Sequence, residues 1–186
     1  MRFIGNDGFV VTFHQVDPLY TLDLSDPANP RVLGELQIQG YSAYLHPIGD
    51  NLLLGIGQDI GAHNEPTGTQ ISLFDVSDLA HPTRIAHASL GQGWSAAESD
   101  HHAFLYWPAT GLVMVPFGQQ AVGMHVGKGG IDEIGRVVQL DAKTSSLPEI
   151  ERSLVVRGAV LTVSMQGVKA SDLKSKDRFV LPDEWS

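Results

Sequence analysis

The sequence contains no cysteine, few positive charges and no long apolar run. Without cysteine, the chain forms no disulfide, no thiolate zinc site and no cysteine nucleophile. It has 12 Lys and Arg against 21 Asp and Glu, a formal net charge of −9, and such a chain repels nucleic-acid phosphates and anionic membrane surfaces. The apolar runs fall far short of the roughly 20 residues of a membrane helix. We therefore expect neither nucleic-acid binding nor membrane insertion.

The first residues do not have the pattern of a signal peptide. Arg2 is the only early positive charge, and residues 4–8, Ile-Gly-Asn-Asp-Gly, interrupt any apolar segment. A strand-like sequence also begins at once at Arg2. We therefore expect the chain to be a fragment or domain of a longer protein. Its 186 residues, of which 42% are hydrophobic, suffice for a core without disulfides.

Two internal repeats are visible in the sequence. Residues 22–31 recur about 50 positions later as residues 74–83, sharing Asp, Ser, Asp and Pro at four equivalent positions. Residues 40–43, Gly-Tyr-Ser-Ala, recur as residues 93–96, Gly-Trp-Ser-Ala. A period of this length is typical of propeller blades and of the larger helical repeats.

The content of the repeats favours strands over helices. Short β-branched or aromatic runs alternate with turn residues, and no stretch holds a clean helical period, so the sequence predicts an all-β protein. We predict four blade-like units: 2–39, 40–91, 92–141 and 150–182. In the first unit the predicted strands are 2–5, 9–14, 19–25 and 31–38, and the fourth unit closes with an outer strand at 178–181. Two segments, 58–69 and 142–149, are predicted to be a polar hairpin loop and a linker.

Several motifs resemble those of secreted bacterial and archaeal proteins with a C-terminal β-propeller domain, a family distantly related to WD40 propellers. They are Arg2-Phe3-Ile4-Gly5, Val16-Asp17-Pro18-Leu19, Asp23-Leu24-Ser25-Asp26-Pro27, Tyr44-Leu45-His46-Pro47, Leu73-Phe74-Asp75-Val76-Ser77-Asp78 and Asp100-His101-His102-Ala103-Phe104-Leu105. The resemblance implies a β-propeller fold, more blades than four, with this chain as the C-terminal part of the larger propeller, and an extracytoplasmic location. It implies no reaction.

Four cationic or titratable residues take similar places when the first strands of the four units are aligned: Arg2, His46, His101 and Arg152. The inner strands of a propeller line its central channel. We therefore expect these four side chains, with Asp100, to converge at one channel mouth and to bind an anion or a metal ion. The alternative is that each caps a turn or packs beneath the next blade.

The segment 98–102, Glu-Ser-Asp-His-His, is the densest cluster of potential metal ligands. Histidine and carboxylate together suit zinc or another divalent ion. Because adjacent residues of a strand point to opposite faces, only His101 or His102 would face the channel. A site would then need a distant ligand, and His46, Asp100 and His101 form the predicted set. The alternative is an Asp that holds the turn while a His bonds to a neighbouring blade.

Two other segments resemble functional motifs but do not match them. Residues 93–97, Gly-Trp-Ser-Ala-Ala, lack the final glycine and the following helix of a nucleophile elbow. The oxygen-rich segment 59–65, which contains Asp59, His63, Asn64 and Glu65, lacks the spacing of an EF-hand calcium loop. Both are interpreted as structural.

The sequence leaves two functions open. The first is a binding module, part of an extracytoplasmic propeller that recognises a small ligand or a protein partner. The second is a metal-assisted hydrolase that uses Asp100, His101, His102 and His46 at the channel. An incomplete propeller also exposes apolar sheet faces at its ends, so we expect a homodimer or larger assembly.

Overall fold

The computed structural model describes residues 1–12, 18–63, 65–140 and 146–172. These residues form fifteen strands in four antiparallel sheets, together with two short 3₁₀ segments, Ala96–Glu98 and His101–Ala103. The all-β prediction is therefore confirmed. None of the helical segments in the described residues is long and apolar enough to cross a membrane.

Sheets 1 and 2 each consist of four strands joined in chain order, so every neighbouring pair is a hairpin. Sheet 1 contains β1 Arg2–Ile4, β2 Asp7–Val11, β3 Leu19–Asp23 and β4 Arg31–Leu36. Sheet 2 contains β5 Tyr41–Ile48, β6 Leu52–Ile60, β7 Pro66–Asp75 and β8 Thr83–Gly91. Simple up-and-down sheets of this kind are typical of propeller blades.

Sheets 3 and 4 follow the same up-and-down order. Sheet 3 contains β9 Leu105–Trp107, β10 Leu112–Phe117, β11 Gln120–Gly127 and β12 Gly130–Val138. Sheet 4 contains β13 Ile150–Val156, β14 Ala159–Ser164 and β15 Gly167–Asp172. The strand predicted at 178–181 lies outside the described residues, as does half of the segment predicted as a linker, residues 142–145.

The repeated segments 22–31 and 74–83 have the same local structure. Asp23 ends β3 and accepts a hydrogen bond from the backbone N–H of Ser25, and Asp75 ends β7 and accepts one from Ser77, both at 2.9 Å. The second aspartates of the two segments, Asp26 and Asp78, accept from the N–H two residues on in the same way. The predicted equivalence of the repeats is confirmed, because short acidic side chains hold both turns.

The turn of the second repeat docks onto sheet 1. Thr21, which is fully buried, donates its hydroxyl proton to the carbonyl oxygen of Leu79. Gly34, which pairs with Thr21 across β3 and β4, lies so close beneath the carbonyls of Leu79 and Ala80 that a β-carbon there would clash. The hydroxyl and the missing side chain together create the docking position for this turn.

The chain divides into two compact units, Met1–Gly93 and Trp94–Ser186, and each has its own core. In the first unit, Phe9, Val11 and Leu19 of sheet 1 pack with residues of sheet 2, namely Leu45, Leu53, Phe74 and Val76. In the second unit, residues of sheet 3 and of sheet 4 share a cluster: Leu112, Met114, Ala121, Val137, Ile150 and Val160. Each core therefore lies between two sheets.

The prediction of a long polar loop at 58–69 is wrong. β6 continues to Ile60 and β7 begins at Pro66, so only the segment between them connects the strands. The reason is that the polar side chains here bond to one another. Gln58 and Thr69 are buried, the Gln58 amide donates to Thr69 Oγ1 at 3.2 Å, and both donate to the carbonyl of Gly93. Buried polar groups with partners extend a strand as well as apolar ones do.

We expect Thr21→Val to destabilise the first unit by about 1–3 kcal/mol, since the part-buried carbonyl of Leu79 loses its donor while the side-chain volume is kept. Urea unfolding of the variant and the wild type measures this difference. Thr83→Val, at an exposed position of β8, is the matched control and should change the free energy of unfolding by less than about 0.5 kcal/mol. Equal stability of the Thr21 variant and the control would show that the docked turn contributes nothing.

Candidate functional site

Arg2 and His46, predicted to share a site, lie close together and Tyr44 connects them. Tyr44 and His46 are two residues apart on β5 and therefore share a face of the strand. The Tyr44 hydroxyl lies 2.9 Å from His46 Nδ1, and the Arg2 guanidinium carbon lies 6.0 Å from the centre of the Tyr44 ring. We call Arg2, Tyr44 and His46 the Arg–Tyr–His cluster. Tyr44 was absent from the sequence prediction, although its spacing from His46 was a usable signal.

Tyr44 and His46 of this cluster are both uncharged at pH 7. Burial, with Arg2 as the second cause, lowers the pKa of His46 to about 4, so its imidazole is neutral at pH 7. Burial also raises the pKa of Tyr44, which keeps its proton and can donate it to the neutral His46 Nδ1. Within the described ranges, no ion pair joins Arg2 to a carboxylate. The cluster is a half-buried cation beside two hydrogen-bonding groups.

Asp100, His101 and Arg152 also lie together, in the second unit. Asp100 caps the 3₁₀ segment His101–Ala103, and its Oδ1 accepts from the backbone N–H of His102 at 2.9 Å and lies 3.0 Å from His102 Nδ1. Its other oxygen lies 3.9 Å from an Arg152 nitrogen. These hydrogen bonds from His102, first from its backbone and then from its ring, lower the pKa of Asp100.

The prediction that His101 and His102 point to opposite faces of a strand is wrong. Both lie in the 3₁₀ segment, and their ring centres are 3.9 Å apart. The cause is Asp100, whose side chain caps the segment and so favours a helical turn over a strand. Three exposed residues, Asp100, His101 and His102, therefore bring ligand atoms within 4.8 Å of one another. The cluster holds His102 in place of the predicted His46, and we call it the Asp–His–His cluster.

Two observations weigh against a metal ion at the Asp–His–His cluster. Asp100 Oδ1 already serves the backbone of His102, and the Arg152 guanidinium beside Asp100 repels a cation. The turn at Asp78 also shows that the same pairing occurs without such a cluster. There Asp78 caps the turn through the N–H of Ala80 and lies 2.9 Å from His81 Nδ1. An Asp–His pair that holds a turn is thus a recurring structural element of this chain.

Two of the four residues predicted at the starts of inner strands share one position. Arg2 and His46 each lie in the third residue pair from the first hairpin of their sheet, where they pair with Phe9 and Leu54. Arg152 lies in the fifth pair of sheet 4, and His101 precedes β9 and lies in no strand. The predicted alignment therefore holds for Arg2 and His46 and is wrong for His101 and Arg152. The structure groups Arg2 with His46 in one unit and His101 with Arg152 in the other.

The two remaining motifs have structural roles. Ser95 caps the segment Ala96–Glu98 in a capping box with Glu98, and its buried hydroxyl donates to the carbonyl of Pro116. A hydroxyl held in this way does not act as a nucleophile. In the segment 59–65, Asp59 Oδ1 lies 2.9 Å from His87 Nε2, while Asn64 lies outside the described residues.

Comparison with known proteins agrees with the stacked up-and-down sheets. The model of a family described as "Beta propeller domain" matches residues 1–176. The chain belongs to the β-propeller domain family. An uncharacterized protein of Archaeoglobus fulgidus is 45% identical over 119 residues, which are 64% of this chain and 18% of that protein. An uncharacterized protein of Methanocaldococcus jannaschii is 38% identical over 172 residues, 92% of this chain and 26% of that protein.

The matched residues are only a small part of each of these two relatives. The chain spans about a quarter or less of the length of each. The predicted β-propeller fold is confirmed by the family match. Channel closure, ligand and location stay predictions.

We expect His46 to make the stability of the first unit depend on pH. The unfolded chain protonates His46 near its ordinary pKa of 6.5, whereas the folded chain does so only near about 4. The stabilisation from neutral His46 is therefore complete above about pH 6.5 and is lost as the pH falls towards about 4. His46→Gln should lose less stability over this interval than the wild type in urea unfolding. An identical pH profile for both proteins would contradict the lowered pKa.

Proposed function

We propose that the chain is a propeller binding module whose ligand is a small molecule bearing a carboxylate or phosphate group. The observation that carries this proposal is the Arg–Tyr–His cluster. A half-buried guanidinium that has no described carboxylate partner, beside a phenol and a neutral imidazole, is unusual in a chain of net charge −9. The planar guanidinium matches the two oxygens of a carboxylate or phosphate group.

The cluster offers each group a separate role in binding. Arg2 supplies the charge, and the His46 imidazole supplies a hydrogen bond from Nε2 while Tyr44 holds its Nδ1. An anion near His46 favours the protonated imidazole and raises the pKa of His46 above about 4. Binding therefore strengthens as the pH falls through the His46 pKa of the complex, since the imidazole then adds a second positive charge.

The proposed extracytoplasmic location rests on the resemblance to secreted propeller proteins. The absence of cysteine is compatible with it, because a chain without thiols is unaffected by the redox state of its compartment.

Acetate and inorganic phosphate are the probes for this site. We expect either or both to bind the wild type and to shift the His46 ring signals in NMR titrations, and we expect acetate, which is ionised at both values, to bind more tightly at pH 6 than at pH 7.5. Arg2→Gln should weaken binding about ten-fold or more, the effect of one charge-assisted hydrogen bond. Arg31→Gln is the matched control, because Arg31 is exposed and already paired with Asp23 at 2.6 Å. Equal affinity in both variants would overturn the proposal.

The second candidate function is a metal-assisted hydrolase at the Asp–His–His cluster. What favours it is the approach of three ligand atoms within 4.8 Å. A bound divalent ion would lower the pKa of a water molecule and supply a nucleophile. Asp100, His101 and His102 would hold the ion, and Arg152 would lie beside the reacting group. His46, the remaining residue of the predicted catalytic set, belongs to the other unit of the chain.

Zinc titration distinguishes this candidate from a structural turn. If the cluster binds zinc, calorimetry shows a one-to-one complex that His101→Gln and His102→Gln abolish. His81→Gln is the matched control, because His81 Nδ1 lies 2.9 Å from Asp78, close to the 3.0 Å between His102 and Asp100, in a turn of similar type. Since Asp100 is already hydrogen-bonded and Arg152 opposes a cation, we expect no zinc binding below about 0.1 mM. Tight binding that is lost only in the His101 and His102 variants would favour the hydrolase.

A further inference from the structure

Sheet 1 has one face in the core and one face towards solvent. The core face carries Phe9, Leu19 and Thr21, which pack against sheet 2. Strand register places five apolar side chains on the opposite face: Phe3, Val10, Tyr20, Leu22 and Val32. Phe3 is 56% exposed and Val32 is 63% exposed. We call these five residues the sheet 1 outer face. A contiguous apolar surface of this kind is typical of an interface.

Sheet 4 has a similar division. Ile150, Val155 and Val160 pack against sheet 3. The register of β13, β14 and β15 places the other apolar residues on the opposite face: Leu154, Val156, Leu161, Val163 and Val168. Leu154 is 47% exposed, Val156 is 45% exposed and Val168 is 63% exposed. We call these five residues the sheet 4 outer face.

The contact between sheets 1 and 2 shows what the sheet 1 outer face is shaped for. Sheet 2 covers the core face of sheet 1 with Leu53 and Phe74, which pair across β6 and β7. In the first repeat the equivalent pair is Gly8 and Leu22, because Leu22 and Phe74 each directly precede the repeated aspartate. The sheet 1 outer face is therefore equivalent, by the repeat, to the face of sheet 2 that packs on sheet 1.

The turn of the first repeat is likewise left exposed. The turn of the second repeat docks on Thr21 through Leu79. Its equivalent in the first repeat, residues 25–30, is exposed throughout. One face of sheet 4 contacts sheet 3, and the sheet 4 outer face is the opposite one. It therefore corresponds to the core face of sheet 1, which is covered by the next sheet in the chain, sheet 2. The chain thus carries both halves of one sheet-on-sheet contact.

We propose that the sheet 1 outer face of one copy of this chain packs on the sheet 4 outer face of a second copy, head to tail. The contact continues the stacking already present between sheets 1 and 2, with the exposed turn 25–30 extending over sheet 4. At the place of Thr21 on this surface lies Ala170, because Leu154, Leu161 and Ala170 form the third register line from the first hairpin of sheet 4, as Arg2, Phe9 and Thr21 do in sheet 1. The turn accordingly packs there on an apolar side chain, with Pro27 in the place of Leu79.

Sedimentation equilibrium at micromolar concentration tests the proposal. The wild type should have at least twice the monomer mass of 20.1 kDa. Phe3→Glu and Leu154→Glu each introduce a charge into one outer face and should each give a monomer. Ile85→Glu is the matched control, because Ile85 is a 42% exposed side chain of β8 that lies on neither outer face. Circular dichroism confirms that each variant is folded.

Mixing the two monomeric variants gives the decisive result. The Phe3→Glu copy keeps an intact sheet 4 outer face, and the Leu154→Glu copy keeps an intact sheet 1 outer face, so the mixture should associate again. If the mixture stays monomeric, the contact is not head to tail and the proposal fails. A monomeric wild type also overturns it and assigns the two outer faces to flanking sheets of a longer chain, as the length of the relatives allows.

Discussion

The packing of one sheet face on the next is the constraint on which the rest of this structure depends. A single four-stranded sheet has two faces and cannot bury either without a neighbour. Sheet 1 gains its core from residues of sheet 2 such as Leu45, Leu53 and Phe74, and sheet 4 gains its core from sheet 3 among the described contacts. Stability in such an array is a property of neighbouring pairs, with little contribution from any sheet alone.

The same packing places the candidate ligand groups. Tyr44 and His46 lie on the first strand of sheet 2, and Arg2 reaches them from the first strand of sheet 1. The Arg–Tyr–His cluster thus forms only when two sheets are stacked. In the Asp–His–His cluster the residues are consecutive in the chain, and their grouping needs only a capped turn. A group assembled across two sheets is better suited to recognition, because its geometry is fixed by the core between the two sheets and not by one exposed turn.

The all-β architecture could be predicted from the sequence, but only some of the side-chain contacts could. Repeated aspartates and turn residues predicted the all-β fold and the equivalence of Asp23 and Asp75, since these signals act within a few residues. The pairing of Gln58 with Thr69 and the capping by Asp100 were missed, because each depends on where a polar side chain finds a partner. Arg2 and His46 were selected for the right region, yet their contact through Tyr44 depends on sheet packing, which the sequence pattern does not specify.

The docking position at Thr21 and Gly34 has a consequence for how a repeat protein lengthens by duplication. The second repeat contributes a turn that contacts sheet 1, and sheet 1 contributes the surface that receives this turn. Duplication of a repeat that carries both parts produces a complete new contact, and the array lengthens without any simultaneous second change. Sheet 2 carries Leu73 and Ala86 at the paired positions equivalent to Thr21 and Gly34. The two repeats differ there, because Leu73 has no hydroxyl and Ala86 has a β-carbon where Gly34 has none, so a turn placed on sheet 2 would find neither feature that holds the turn on sheet 1.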